Sequence, residues 1–501
     1  MEEKNNDQKI FNYIPSLIMR LILDSPLKDK DVFCDSNNSN KNKSFQNMFN
    51  NSNINEKSNS LFIKPNIYPI KNELPSSLIM IIKLGGFKKL ISSLVLKDKK
   101  NQKEKLISEY LSIITPRILL KVSAIISENG GEIIKYNDFE IIVIWLNDNN
   151  KNSKYYNLYN KFNGKLALIT AIDLLKKVDK TEISIGVKLE LSIGISLGDI
   201  FCTFFGGERK RAEYIFLGEA MENAQLCLSN CLPHEIMIDK ELNEIFQKGG
   251  EINTLDIDQK KKFYSVLGYN EEDLRDFSNL KGLKMRNNNI CINKAFYENL
   301  ESKTQLALSI IPSGLLKYLD LGVETNSQEI NVLTVETIIV YLENEILKDL
   351  KEMQNIIFDI QKSIYLSFGI LIHISKLHSG LLIRCVWGID PSSFIDDTAR
   401  AISTASIIGN LTKYYNMKIG IGIATGACYS GLISLQGNKK VYTLLGKKVL
   451  LSRLLAEEAC KNAVNDNNIK YFIYCDKSTM NYSQKWYRHI LVSQLFSINI
   501  K

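Results

Sequence analysis

The chain is short of the residues that metallate or staple a fold. Its 501 residues include four His and nine Cys, an odd number, with no Cys-x-x-Cys pair. That excludes a structural zinc site and a disulfide framework, and predicts a reduced, intracellular, cytoplasmic protein. Cys227 and Cys231, one helical turn apart, read as core packing. Long apolar runs are also missing: Ser363–Ser375 is too short for a bilayer, and Ile185–Phe205 is interrupted by Lys188, Glu190 and Asp199. The expectation is therefore no membrane span. The start, Met1-Glu-Glu-Lys, lacks the basic-then-apolar pattern of a signal peptide. Neither sign of charge dominates. The 63 Lys+Arg against 55 Asp+Glu give +8, scattered among Asn and Ser, so no nucleic-acid partner is expected.

What is present is a chain with 45% apolar residues, long enough for two or three domains. Residues 1–30 contain FNYIPSLIMRLIL (Phe11–Leu23), whose helical spacing predicts a leader helix docked on the body. Residues 31–75, rich in Asn, Ser and Lys, have too little to bury and are expected to be disordered.

The most informative feature is a repeat. Leu191–Gly218 (LSIGISLGDIFCTFFGGERKRAEYIFLG) and Ile419–Gly446 (IGIGIATGACYSGLISLQGNKKVYTLLG) align without a gap at an offset of 228, so that Gly194 meets Gly422 and Tyr214 meets Tyr442. Each reads as strand, returning strand, polar turn and a short strand ending at a Gly that opens a helix, Glu219–Ser229 or Lys447–Cys460. Upstream, a hairpin from Gly131 to Trp145 answers one from Gly369 to Trp387 that is four residues longer. Before each lie a strand (Ser77–Leu84; Leu333–Leu342) and a long helix (about 104–126; 346–364). The order β-α-β-β-α-β in both halves predicts an α+β fold of antiparallel sheets, each covered on one face by helices. The expected division is 76–247 and 329–501 as the two copies, with 248–328 as connector.

These motifs, IIKLGGF (Ile81–Phe87), GEIIKYNDFE (Gly131–Glu140), the paired glycine-strand units and the longer second hairpin, together resemble the class III nucleotidyl cyclases. Within that family they resemble the soluble, bicarbonate-responsive adenylyl cyclases with two tandem cyclase domains. The resemblance implies two ferredoxin-like domains forming a pseudo-symmetric intramolecular dimer. It also implies a shared site. Two carboxylates of one domain hold two divalent metals, Mg²⁺ or Mn²⁺, while the other domain supplies a Lys and a small polar residue to read the base, then an Asn and an Arg to orient ribose and phosphate. ATP would close to cAMP and pyrophosphate.

Position by position, the chain departs from that pattern. Lys83 stands at the first carboxylate and repels the ion that should bind there. Phe139 stands at the second, with Asp138 and Glu140 on either side. Either acid is a candidate metal ligand re-aimed by the turn, and a solvated charged turn is the plainer reading. His373 replaces the base-reading Lys, and Thr443 matches the small polar residue. Both are also ordinary strand residues. Leu450 and Leu454 occupy the Asn and Arg positions, and Arg453, one residue early, is expected to point about 100° away. In the reciprocal half-site Leu342 or Glu343 stands near the metal strand, and Asn223 is present without an Arg. Lys135 falls where bicarbonate-responsive members bind the anion, but Gln225 stands where the partner Arg belongs.

The resulting expectation is an adenylyl-cyclase-like protein of cAMP signalling with a degraded two-metal site and weak or no turnover. The alternatives are an active divergent adenylate cyclase using Asp138 or Glu140, Thr443 and Arg453, or a non-catalytic partner of an active cyclase subunit. ATP is a possible ligand under each.

Overall fold

The computed structural model describes residues 13–24, 72–96, 103–137, 139–147, 156–247, 250–256, 262–277, 308–311, 329–343, 349–492 and 495–498. The stretch 31–71, expected to be disordered, lies outside them, as does Asp138.

After a leader helix α1 (Ser16–Asp24), the first module runs β1 (Asn72–Gly85), α2 (Phe87–Leu96), α3 (Lys103–Glu128), β2 (Glu132–Asn137), β3 (Glu140–Trp145) and α4 (Tyr156–Lys177). It continues with a small hairpin β4 (Glu182–Ser184) and β5 (Val187–Lys188), then β6 (Glu190–Gly206), β7 (Ala212–Leu217), α5 (Glu219–Asn230), β8 (Glu235–Asp239) and α6 (Lys240–Gln247). It ends with β9 (Ile252–Asp256), β10 (Phe263–Tyr269) and α7 (Glu271–Arg275). The second module runs β11 (Glu329–Leu342), α8 (Leu350–Leu366), β12 (Ile370–Leu377), β13 (Gly380–Trp387), α9 (Asp397–Asn410), β14 (Met417–Ser434), β15 (Lys440–Leu445), α10 (Lys447–Asn465), β16 (Tyr471–Cys475), α11 (Lys477–Ser483), β17 (His489–Val492) and β18 (Leu495–Ile498).

The two large sheets have one order. It is β2-β3-β1-β6-β8-β10-β9 with β7 on β6 in the first, and β12-β13-β11-β14-β16-β18-β17 with β15 on β14 in the second. Strands β9 and β10, which fall in the stretch expected as connector, form the edge of the first sheet. Strands β6 and β14 are longer than one layer needs. Their outer ends project with β7 and β15 as arms, and the two arms occupy the same places 228 residues apart.

Both faces of each sheet are buried, which is why the central strands read as continuous apolar runs. In β1, Leu78, Met80 and Ile82 pack with α3 and α4, while Ile79 and Ile81 face a second core. That second core is the seam between the modules. It joins Ile134, Ile144 and Phe216 of the first to Leu333, Val335, Ile372 and Val449 of the second; α1 adds Ile18 and Met19, and Ile14 just before it joins them. On the helical side the repeated glycines allow a close approach. A Cβ on Gly422 would lie 2.1 Å from the Ser452 carbonyl of α10, and one on Gly194 would lie 2.6 Å from that of Ala224 in α5.

Each arm lies on the first long helix of the other module. Gly206 N donates to Gln354 Oε1 (2.9 Å) and its carbonyl accepts from Gln354 Nε2 (2.8 Å). Gln361 accepts from Glu208 N (3.2 Å) and donates to the Arg211 carbonyl (2.8 Å). Reciprocally, Ser108 of α3 donates to the Ala427 carbonyl (2.9 Å) and Ser123 accepts from Gln436 N (3.0 Å). Glu208 and Gln436 are repeat equivalents. Helix α3 is the one described helix long and apolar enough to cross a membrane, and half of that stretch is buried within the protein.

The copies differ at one costly point. Strand register places Met80 opposite Ile195 and Glu336 opposite Ile423, its repeat equivalent. Glu336 is wholly buried, and neither carboxyl oxygen has a hydrogen-bond partner among the described residues. Burial raises its pKa well above the ordinary glutamate value. Because the shift exists only in the folded chain, its favourable contribution is complete below the ordinary glutamate range and is lost as pH rises through the raised folded value. Replacing Glu336→Met should therefore stabilise the chain at neutral pH by about 1–3 kcal/mol in urea unfolding, and should flatten the decline of stability from pH 5 to 8. An unchanged pH slope would contradict the assignment.

Candidate functional site

The cleft predicted from the motifs lies where β1 and the β2–β3 turn of the first module meet α10 of the second. Lys83, opposite both Glu140 and Ser192, is exposed at the end of β1. The equivalent register position in β11, opposite Gly420, is Ile339, not Leu342 or Glu343 as the sequence suggested. The β2–β3 turn carries Phe139 at φ 70°, a conformation that a β-carbon disfavours. Two contacts hold it there. Its carbonyl accepts from Leu84 N (2.8 Å), and its ring stacks on Phe87 with centroids 4.1 Å apart. Phe139 and Leu450 both pack against the first module's core. An apolar plug thus fills the place that the resemblance gives to a metal carboxylate and a ribose-binding Asn.

Glu140 and Arg453, expected as metal ligand and phosphate-binding residue, meet one another. Arg453 Nη2 donates to Glu140 Oε1 at 3.2 Å across the seam, and its Nε donates to Glu457 at 3.0 Å. The residue expected to point away from the cleft therefore reaches over it, because the arginine side chain is long enough to offset its early place on the helix. The described residues include no cluster of three or more His, Cys, Asp or Glu able to hold a metal. One carboxylate already paired with a guanidinium, facing a lysine, does not fit a two-metal centre.

Of the base-reading pair, Thr443 is buried on β15 opposite Gly431. His373 sits half-buried at a bulge in β12 and lines a separate cavity. This cavity, of about 230 Å³, lies on the seam beneath the leader helix. Its charged lining comprises Lys135, Arg211, Lys439 and Lys440 against Glu132 and Glu213. Lys135 Nζ donates to the carbonyls of Tyr214 (3.1 Å) and Ile374, so it ties the two modules together, and lies 3.7 Å from Glu213. Burial pushes its pKa down, partly offset by Glu213. Arg211 pairs with Glu213 and donates to the Ser309 carbonyl (2.6 Å), while its buried Nε has no partner among the described residues. Lys439, its pKa also lowered by burial, donates to the Ile14 carbonyl (2.9 Å).

Sequence reasoning found Lys135 and His373 but missed Arg211 and Lys439. The signal was there: the two are 228 residues apart, the same place in each arm. The Arg that the resemblance asks for near Gln225 is absent, and Gln225 instead donates to the Lys376 carbonyl.

No protein-family model and no curated protein matches the chain. Among solved structures, a class III adenylyl cyclase-like ATP-binding protein from Pseudomonas aeruginosa is similar over 82% of this chain and 85% of its own, with 9% identity and a TM-score of 0.47. The adenylyl cyclase CyaB from P. aeruginosa is similar over 41% of this chain and 98% of its own (17% identity, TM-score 0.30). The monomeric guanylyl cyclase domain of the RhoGC fusion protein from the aquatic fungus Blastocladiella emersonii matches 40% of this chain and 99% of its own (15%, 0.29). The family to which the chain is similar, in its motifs and among solved structures, is that of the class III nucleotidyl cyclases.

Proposed function

We propose that the chain is an adenylyl-cyclase-like regulatory protein of cyclic nucleotide signalling whose two modules stand to one another as the subunits of a cyclase dimer, and which does not cyclise ATP at a significant rate. The observation that carries this reading is the Glu140–Arg453 ion pair beside the Phe139–Phe87 stack. A metal recruited by Glu140 would have to displace a guanidinium, and would find Lys83 opposite. Removing one charge-stabilising group in such a site costs a factor of about 10²–10³ in rate, and here several are replaced together. Mg²⁺ or Mn²⁺ therefore has no step to perform in the described cleft.

The expected result is that purified full chain with ATP and Mn²⁺ or Mg²⁺ makes no cAMP above a protein-free blank. Activity that Arg453→Ala or Glu140→Gln abolished, with the thermal melt unchanged, would overturn the reading in favour of a divergent cyclase.

The same reading gives the seam cavity to a small anionic effector held by Lys135, Arg211 and Lys439. Lys135, Arg211, Lys439 and Lys440 line it against Glu132 and Glu213, so its lining carries a net positive charge that favours an anion. At matched ionic strength and pH, bicarbonate, acetate or phosphate should raise the melting temperature above that in chloride. A ligand at 100 times its Kd adds about 2.7 kcal/mol. Lys439→Met should remove most of that rise. Identical melts in all four anions would refute the effector site.

A further inference from the structure

The outward face of α3 is apolar along a single line. Leu106, Ile113 and Leu120 are 57%, 52% and 47% exposed and stand seven residues apart, so they span about 21 Å along the helix. Tyr110 and Arg117 fall between them and Ala124 follows; the spacing 4-3-4-3-4 is that of a coiled-coil seam with one charged position, Arg117, although Tyr110 is half-buried, packs against the first module's core and donates its hydroxyl to the Ile183 carbonyl. Lys105 and Lys121 are exposed on its borders.

The second module shows that the fold does not require this face. Gly131 N bonds to the Ile126 carbonyl and Gly369 N to that of Ile364, which aligns α3 with α8 at an offset of 238. At that offset Ile113 corresponds to Lys351, Arg117 to Asn355, Lys121 to Asp359 and Ala124 to Lys362. Phe358, opposite Leu120 in this alignment, is buried. The outer face of α8 is thus polar, as an unattached surface helix requires, whereas that of α3 is apolar and basic. Helix α3 is also longer, 26 residues against 17, and Leu106 lies in the added turns.

We propose that this face of α3 docks an acidic amphipathic helix of a partner protein, which sets apolar residues at heptad spacing against Leu106, Ile113 and Leu120 and an acid against Arg117. A bilayer would favour a broad apolar face over a line one residue wide. A second copy of the chain would bring Lys105, Arg117 and Lys121 against their own kind. A helix with Glu on its flanks meets both constraints, and the face lies outside the cleft and the seam cavity.

The probe is a 21-residue peptide with Leu at both apolar heptad positions and Glu at the flanking ones, too self-repelling to pair alone. Its control carries Lys in place of Glu. Titrated into the full chain, the acidic peptide should bind saturably at one per chain and the basic one at least tenfold more weakly. Ile113→Glu should cost at least tenfold, and Arg117→Glu should shift preference toward the basic peptide while the circular-dichroism melt stays unchanged. Three results would overturn the proposal: equal or no binding of the two peptides, binding indifferent to Ile113→Glu, or Ile113-dependent association with phosphatidylserine vesicles or with a second copy in place of the peptide.

Discussion

The structure depends on an exchange of backbone partners between its halves. An arm that leaves its own sheet carries amides and carbonyls that the sheet no longer pairs, and each arm finds those partners on the other module's first helix. Gln354 and Gln361 serve the first arm, and Ser108 and Ser123 serve the second. Withdrawing either module would strand buried main-chain groups at about 1–3 kcal/mol each, besides opening the apolar seam. That constraint fixes how the cleft is assembled, because β1 and the β2–β3 turn meet α10 only when both arms are seated.

Within that frame the cleft residues form a consistent set. Lys83 and Arg453 bring positive charge to the place where a metal-dependent site would recruit it from solution, and Glu140 is consumed by Arg453. The apolar pair Phe87 and Phe139 fills the space beside them, which explains why Phe139 is held in a left-handed turn despite its β-carbon. The contact with Phe87 and the Leu84–Phe139 hydrogen bond offset a strain of order 1–3 kcal/mol. Lys135 plays a similar mechanical part on the other side of the seam: its amine bridges Tyr214 of one module and Ile374 of the other.

What could be read in advance follows from sequence distance. The duplicated arms were legible because Leu191–Gly218 and Ile419–Gly446 align without a gap, and the strands β6, β7, β14 and β15 fall where that alignment puts them. The helices α4 and α9 repeat just as clearly, Ala167-Leu168-Ile169-Thr170-Ala171 against Ala401-Ile402-Ser403-Thr404-Ala405. The hairpin β4–β5 intervenes in one copy alone and moves their offset to 234, which hides the match from a search at 228. The edge strands β8 to β10 are short and bound by tertiary features such as Asp239, which accepts from Leu197 N and Leu242 N. Asp476 repeats that arrangement with Thr425 N and Thr479 N. The Arg453–Glu140 pair joins residues 313 apart. Whether they meet depends on how the modules close on the seam, which the rotation of Arg453 about α10 does not by itself determine.

A duplicated fold supplies its own control, since a feature required by the fold should persist in both copies and a feature of one copy needs another cause. The arm contacts, the glycines under α5 and α10 and the acids capping α6 and α11 persist. Lys83 against Ile339, Arg211–Glu213 against Lys439–Val441, and the apolar line on α3 against the polar face of α8 do not. These one-sided differences gather at the cleft, the seam cavity and one outer helix. At the cleft the protein's own cations, Lys83 and Arg453, stand beside the Glu140 carboxylate. A covalently held cation is present at every ligand concentration, so a contact such as Arg453–Glu140 joins the modules without waiting for nucleotide or metal, and falls off only with salt and solvent access. The positive charge of the described cleft is thus fixed in the chain by Lys83 and Arg453 and is weakened by salt but not by the removal of any ligand.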